Sequence, residues 1–106
     1  MKYIIDIDGT ICTKTNSEYE KAEPLLDRIF IINSLYDEKN EIHYWTARGS
    51  SSGKDWTEFT KNQLSNWGCK YNTLKLGKPT YDIWVDDKAL SDVEFFNSNT
   101  NKRILK

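Results

Sequence analysis

At 106 residues, 38% of them hydrophobic, the chain fits one compact domain with a single core and is too short for a catalytic domain plus a separate substrate domain. Its formal charge of -1, with Lys and Arg scattered along the sequence, gives no electrostatic footprint for nucleic acid. No apolar run approaches the roughly 18 residues of a membrane span, and Met1-Lys2-Tyr3 leads straight into a strand, so the expectation is a soluble, cytoplasmic protein. Cys12 and Cys69 have neither metal-ligand spacing nor a disulfide-rich pattern and read as reduced thiols.

In chain order, Tyr3-Ile4-Ile5 predicts a first strand that runs into Asp6-Ile7-Asp8-Gly9-Thr10. Residues two apart in a strand project to the same side, so Asp6 and Asp8 converge on one point while Gly9 lets the backbone turn away. After a polar stretch, apolar residues at helical spacing from Pro24 to Tyr36 predict a helix with Pro24 at its first position, where its missing N–H costs nothing. Ile42-His43-Tyr44-Trp45 is a second strand and stops at Thr46. Ala47 to Asp55, rich in Ser and Gly, is a loop. Trp56, Phe59, Gln63, Leu64 and Trp67 then share one helical face, and Gly68 ends that helix. Tyr71 to Leu76 is a weaker third strand, broken by Gly77-Lys78-Pro79, and Ile83-Trp84-Val85 a fourth that ends at Asp86-Asp87. Ser91-Asp92-Val93-Glu94 has the form of a capping box opening a short helix, Asn97 to Asn101 is polar, and Arg103-Ile104-Leu105 is a last candidate strand.

Alternating strands and helices imply an α/β fold with a mainly parallel sheet, in which ligands bind beyond the carboxyl ends of the strands. Asp6, Thr46 and Asp86 each fall at such an end. Paired carboxylates there point to metal-assisted phosphoryl chemistry. Asp-Gly is equally a hairpin turn signal, and Asp86-Asp87 alone reads as a solvated turn. Their combination with a strand-end Thr and a Lys favours the site.

With Asp6-Ile7-Asp8-Gly9-Thr10, Thr46, Lys78 and Asp86-Asp87 in this order, nearly the whole chain resembles the haloacid dehalogenase-like hydrolases, mostly magnesium-dependent phosphatases with a three-layer Rossmann-like core. The resemblance implies one core domain over residues 1–106, its central sheet flanked by helices. Asp6 would attack phosphorus to form an aspartyl-phosphate, while Asp8 protonates the leaving oxygen and then activates water. Mg2+ would sit on the Asp6 carboxylate, the Asp8 carbonyl and the Asp86 carboxylate, with Asp87 holding a metal-bound water or orienting Lys78. Thr46 and Lys78 would stabilise the transferring phosphoryl group. Physical chemistry agrees: a carboxylate attacks a phosphate dianion only when cations screen the repulsion. Lys75 competes with Lys78 for the lysine role, but Lys78 lies in a loop on the same edge as Asp86.

Gly9, Thr10, Ala47 and Arg48 complete the expected substrate-binding set, the Arg48 fork suiting a phosphate or carboxylate, although an ordinary surface ion pair fits it as well. Gly49 to Asp55 mimics a nucleotide phosphate loop but is one residue short, with Asp55 where a Ser or Thr should bind magnesium. His43, within a strand, reads as packed and hydrogen-bonded rather than catalytic. Trp56 and Tyr81 are candidates for a pocket mouth.

The gaps between the motifs leave no room for a cap domain. Small capless relatives with Thr-Ala-Arg, Trp-Gly and Gly-Lys-Pro motifs like those here look like phosphatases of capsule or surface-polysaccharide synthesis. That makes a sugar phosphate the expected substrate and a homo-oligomer closing the site a possible partner. The alternatives are a polynucleotide-end or protein phosphatase, disfavoured for nucleic acid by the missing basic face, and a non-enzymatic receiver-like phospho-acceptor, whose motif order is the reverse of this one.

Overall fold

The computed structural model describes residues 1–103. Three parallel strands, β1 (Lys2–Ile5), β2 (Glu41–Trp45) and β3 (Thr73–Lys75), lie side by side in the order β1-β2-β3. Helix α1 (Leu26–Asp37) joins the first two, α2 (Thr57–Asn66) the second and third, and α3 (Asp92–Arg103) follows. The register sets Ile5 beside Tyr44 and Tyr44 beside Leu74. All three strands therefore end on one edge, where the loops begin with Asp6, Thr46 and Leu76.

Period-two alternation divides the sheet. Tyr3, Ile5, Ile42, Tyr44 and Leu74 turn toward a core shared with Ile29, Ile32 and Leu35 of α1, Leu64 of α2 and Phe96 of α3. Burying each such aliphatic side chain is worth about 1.5–3 kcal/mol, which offsets the ordering of the short strands. The opposite face carries Lys2, Ile4, His43, Trp45, Thr73 and Lys75 around an open groove of about 290 Å³. Ile4 there is 61% exposed. Among the described residues no helix covers this face, so the arrangement has two layers where three are expected. His43 on it is satisfied as a structural residue, with Nδ1 2.6 Å from Thr73 Oγ1 and Nε2 3.1 Å from Glu41.

Three further expectations are corrected. Pro24 does not open α1: it pairs with Cys12 in an antiparallel bridge, and the Leu25 N–H bonds to the Ile11 carbonyl at 2.8 Å, so the chain stays extended until Leu26. Ile83-Trp84-Val85 forms no strand. Every residue from Pro79 to Ser91 is exposed, Ile83 at 81% and Val85 at 89%. Only residues 76–82 separate it from β3, short of the dozen or so that a parallel crossover usually takes. The last helix is long, running through the polar Asn97–Asn101 stretch to Arg103; Ile104 and Leu105 lie outside the described residues.

Helix α3 starts where the capping box predicts, with the Glu94 N–H bonded to Ser91 Oγ at 3.2 Å. One side chain ties it to the sheet edge. Arg28 Nη1 of α1 donates to the Thr10 carbonyl at 3.0 Å and to Asp92 at 2.8 Å, while its guanidinium lies 4.6 Å from the Phe96 ring centre. Arg28 hydrogen bonding, more than any other influence, lowers the Asp92 pKa. A lowered carboxylate pKa contributes stability that is complete above the unfolded value and lost as pH falls through the folded one. Arg28→Ala is therefore expected to cost about 1–3 kcal/mol in urea unfolding at neutral pH. Part of that difference from wild type should vanish in acid, where Asp92 is protonated in both.

Candidate active site

The strand ends bring Asp6, Asp8 and Thr46 together around a cavity of about 530 Å³. Gly9 supplies the turn after Asp8 with φ +81°, and an added Cβ would lie 2.6 Å from Lys14 Cε. Its N–H bonds to the Cys12 carbonyl at 2.9 Å, closing a tight loop that folds the acidic run back over β1.

Thr46 is buried, and it is a junction. Its N–H bonds to the Lys75 carbonyl at 3.0 Å, its carbonyl accepts the Lys78 N–H at 3.1 Å, and its hydroxyl oxygen accepts the Arg48 N–H at 3.2 Å. Through the second of these bonds the Gly-Lys-Pro loop is pinned beside β2. Lys78 Nζ consequently lies 3.8 Å from Asp6 Oδ1 and within 6 Å of the Tyr81 and Trp84 ring centres, at 5.2 and 5.7 Å. Lys75 instead points to the open sheet face, 5.4 Å from the Trp45 ring centre. Of the two lysines, Lys78 is the one at Asp6.

Arg48 forms an ion pair, one of its two expected roles, though a buried one at the cavity wall. Its guanidinium is fully buried and donates through Nε and Nη2 to the two oxygens of Asp8, both at 2.9 Å. Nη1 donates to Gln63 Oε1 at 2.7 Å and to Thr60 Oγ1 at 3.2 Å, and the Tyr19 ring centre is 4.6 Å away. A planar fork matched to a carboxylate, with Nη1 held by Gln63 and Thr60, has four of its five N–H donors committed within the fold. Sequence reading missed Thr60 and Gln63, although their i, i+3 spacing on α2 marks one face. The Thr10 carbonyl accepts Arg28 Nη1, and neither Gly9 nor Thr10 lines the cavity. Ala47 lines the cavity as expected.

The cavity walls come from two loops, of which the sequence reading singled out only the second, through Gly49 to Asp55 and Trp56. Residues 14–19 and 49–56 contribute Lys14, Lys54, Tyr19 and Trp56 along with small polar side chains. Thr15 Oγ1 is buried there with no hydrogen-bond partner. Trp56 is braced edge-on by Tyr19 and Phe59 at ring separations of 4.8 and 5.1 Å. Tyr81 does not line this cavity.

Asp86 and Asp87 are exposed on the 79–91 segment, where Asp86 Oδ1 accepts the Lys88 N–H at 2.9 Å and that bond holds the Asp86 carboxyl below the usual carboxylate range. Among the described residues no group of three or more His, Cys, Asp or Glu side chains comes together to hold a metal. The expected set of Asp6, Asp8, Asp86 and Asp87 is thus split, because the strand that should carry the second pair to the edge is not formed. Both cysteines are free thiols, and burial pushes Cys12 up to about 12 and Cys69 up to about 11, so neither is a nucleophile at neutral pH.

The fold and these strand ends define a small α/β protein with a three-stranded parallel sheet and a polar cavity at its carboxyl edge. No family model matches the chain, and no curated protein matches it. It is similar to the crystal structure of a structural-genomics target from Vibrio cholerae, at 26% identity over 98% of this chain and 94% of that one, with a TM-score of 0.82.

Two measurements test the electrostatics. Arg48→Met leaves Asp8 without its fork. Breaking a buried pair costs about 3–5 kcal/mol, and since the Asp8 side chain keeps 23% exposure the expected loss is roughly 2–4 kcal/mol, mostly recovered as coupling in a double-mutant cycle with Asp8→Asn. For Asp6, burial raises the pKa, and Lys78 only partly opposes the shift. A raised carboxylate pKa means that the fold holds the charge at a cost, which grows as pH rises from the unfolded value through the folded one. Asp6→Asn should therefore increase Tm at neutral pH, and the gain should disappear below the ordinary carboxylate range.

Proposed function

We propose that the chain is a phosphomonoesterase of the haloacid dehalogenase-like hydrolase type, acting with magnesium on a small phosphorylated sugar through an aspartyl-phosphate on Asp6. The observation that carries the reading is the meeting of Asp6, Thr46 and Lys78 at the carboxyl edge of parallel strands, with Lys78 Nζ 3.8 Å from the Asp6 carboxylate. A carboxylate with a loosely held cation beside it is free to attack an anionic ester whose charge that cation offsets. The Asp6 oxygen forms a bond to phosphorus as the ester P–O bond breaks, and the departing alcohol oxygen takes up a proton. Water then attacks the acyl phosphate, releasing inorganic phosphate and restoring Asp6. Magnesium would supply further screening between carboxylate and phosphate.

Asp8 is the proton carrier in this scheme. Held in the Arg48 fork, both of its oxygens accept, which suits it to take the proton of the attacking water. Giving that proton to a leaving oxygen requires it to release the fork. The cavity supports the substrate class that the resemblance implies. A volume of about 530 Å³ suits a small ligand, Thr15 Oγ1 and the neighbouring Ser and Asn side chains suit hydroxyls, and Trp56, with Lys54 Nζ 4.3 Å from its ring centre, forms an aromatic wall. Lys14 and Lys54 suit an anion.

The reading is tested by assaying phosphate release from sugar phosphates, nucleotides and phosphopeptides with magnesium. At least one sugar phosphate is expected to turn over, with activity abolished in Asp6→Asn and reduced about 10²–10⁴-fold in Asp8→Asn. Equal rates for wild type and Asp6→Asn on every ester would sink the proposal. A stable, stoichiometric phosphoprotein without turnover would replace it with the phospho-acceptor alternative.

A further inference from the structure

The outer edge of β1 and the segment after β3 are both unfinished, and they match. β1 pairs with β2 on one side, and among the described residues no strand pairs with its other side. An open edge of this kind is a template for another strand. From Pro79 to Ser91 every residue is exposed, Trp84 at 42% where its ring meets Trp45 of β2 edge-on at 6.0 Å, yet the stretch carries Ile83, Trp84 and Val85, a short β-branched and aromatic run of the kind that packs in sheets.

The register of the match is specific. If Val85 lies beside Ile5 in a parallel pairing, Ile83 lies beside Tyr3, and both join the helix-covered face that Tyr3 and Ile5 already occupy. Trp84 then falls on the other face beside Ile4, the apolar side chain left 61% exposed there. The next pair along is Asp86 with Asp6. Only a parallel strand ends on the same edge as β1, so only that direction carries the acidic pair to the site.

We propose that a second copy of this chain supplies that strand: two copies exchange their 79–91 segments, Ile83–Val85 of each adding to the β1 edge of the other, so that a complete acidic site contains Asp6 and Asp8 from one copy and Asp86 from its mate. Within one chain the seven residues 76–82 are fewer than a parallel crossover past β2 and β1 normally takes, and the Arg28–Asp92 pair fixes the far end of the segment at α1. In the exchange the chain need not cross its own sheet. The stretches on either side of the strand, 76–82 and 86–91, reach up to roughly 20 Å each when extended. Because each copy offers both an edge and a strand, the contact is isologous and closes as a twofold dimer. The part concerning Asp86 rests on the phosphatase reading; the dimer does not.

Light scattering across a dilution series tests the exchange without reference to activity. Wild type is expected at twice the 12.4 kDa chain mass, and the Ile83→Lys/Val85→Lys double variant at the single-chain mass. Both side chains are exposed, so the variant keeps its fold. A wild-type monomer at every concentration would overturn the proposal, and so would a double variant that still dimerises. Once a turned-over ester is found, Asp6→Asn and Asp86→Asn proteins, each inactive alone, are unfolded together and refolded as a 1:1 mixture. About a quarter of wild-type activity should return, since half of the randomly paired dimers are mixed and each of those holds one intact site of two. No recovery from the mixture would place Asp86 in its own chain's site.

Discussion

A buried guanidinium organises the loop edge of this protein. Arg48 leaves the end of β2, reaches the Asp8 carboxylate at the end of β1, and turns its remaining N–H groups to Thr60 and Gln63 of α2, with the Tyr19 ring across its face. Four separate pieces of chain are thereby set around one charge that water does not reach. Desolvating such a charge costs several kcal/mol unless its donors are matched, so each partner is constrained in turn. Gln63 shows this: its Oε1 is fixed by Arg48, which leaves its Nε2 to donate to the Tyr19 carbonyl at 2.8 Å and hold the 14–19 loop down. Gly49, immediately after Arg48, has φ +81° where an added Cβ would collide with the Lys54 carbonyl. The loop closes that tightly only because glycine follows the arginine.

What the sequence made legible was governed by short-range chemistry. β1 and β2 end where their polar terminators stand, α2 stops at Gly68 with φ +75°, and the Ser91–Glu94 box marks the start of α3. The preference for Lys78 over Lys75 likewise followed from loop against strand. The failures are all cases in which a partner distant in sequence decides. Pro24 has the φ of a first helical residue, but extended chain uses the same φ, and pairing with Cys12 selects it. Ile83-Trp84-Val85 has the composition of a strand, yet a strand also needs an edge and a connection that reaches it. Arg48 reads as a phosphate fork or a surface ion pair with nothing to choose between them, because nothing local reveals that Asp8, 40 residues away, holds it buried.

Asp6 and Asp8 sit two residues apart on one strand end and have opposite surroundings. Asp8 is saturated, with both oxygens in the Arg48 fork and the Cys12 thiol 3.5 Å from Oδ1. Asp6 has Lys78 at 3.8 Å, beyond hydrogen-bond length, and is partly desolvated, so its charge is neither well hydrated nor tightly paired. A stronger pairing of Asp6 would stabilise the fold and, on the proposed phosphatase reading, blunt the group as a nucleophile. The aromatic rings of Tyr81 and Trp84 help to keep Lys78 in the looser position, since a cation shared with two ring faces is drawn away from the carboxylate. Both rings belong to the exposed 79–91 segment. Where that segment lies therefore decides how firmly Lys78 is held against Asp6, and the reactivity of the first strand end is linked to the placement of the chain that carries Asp86.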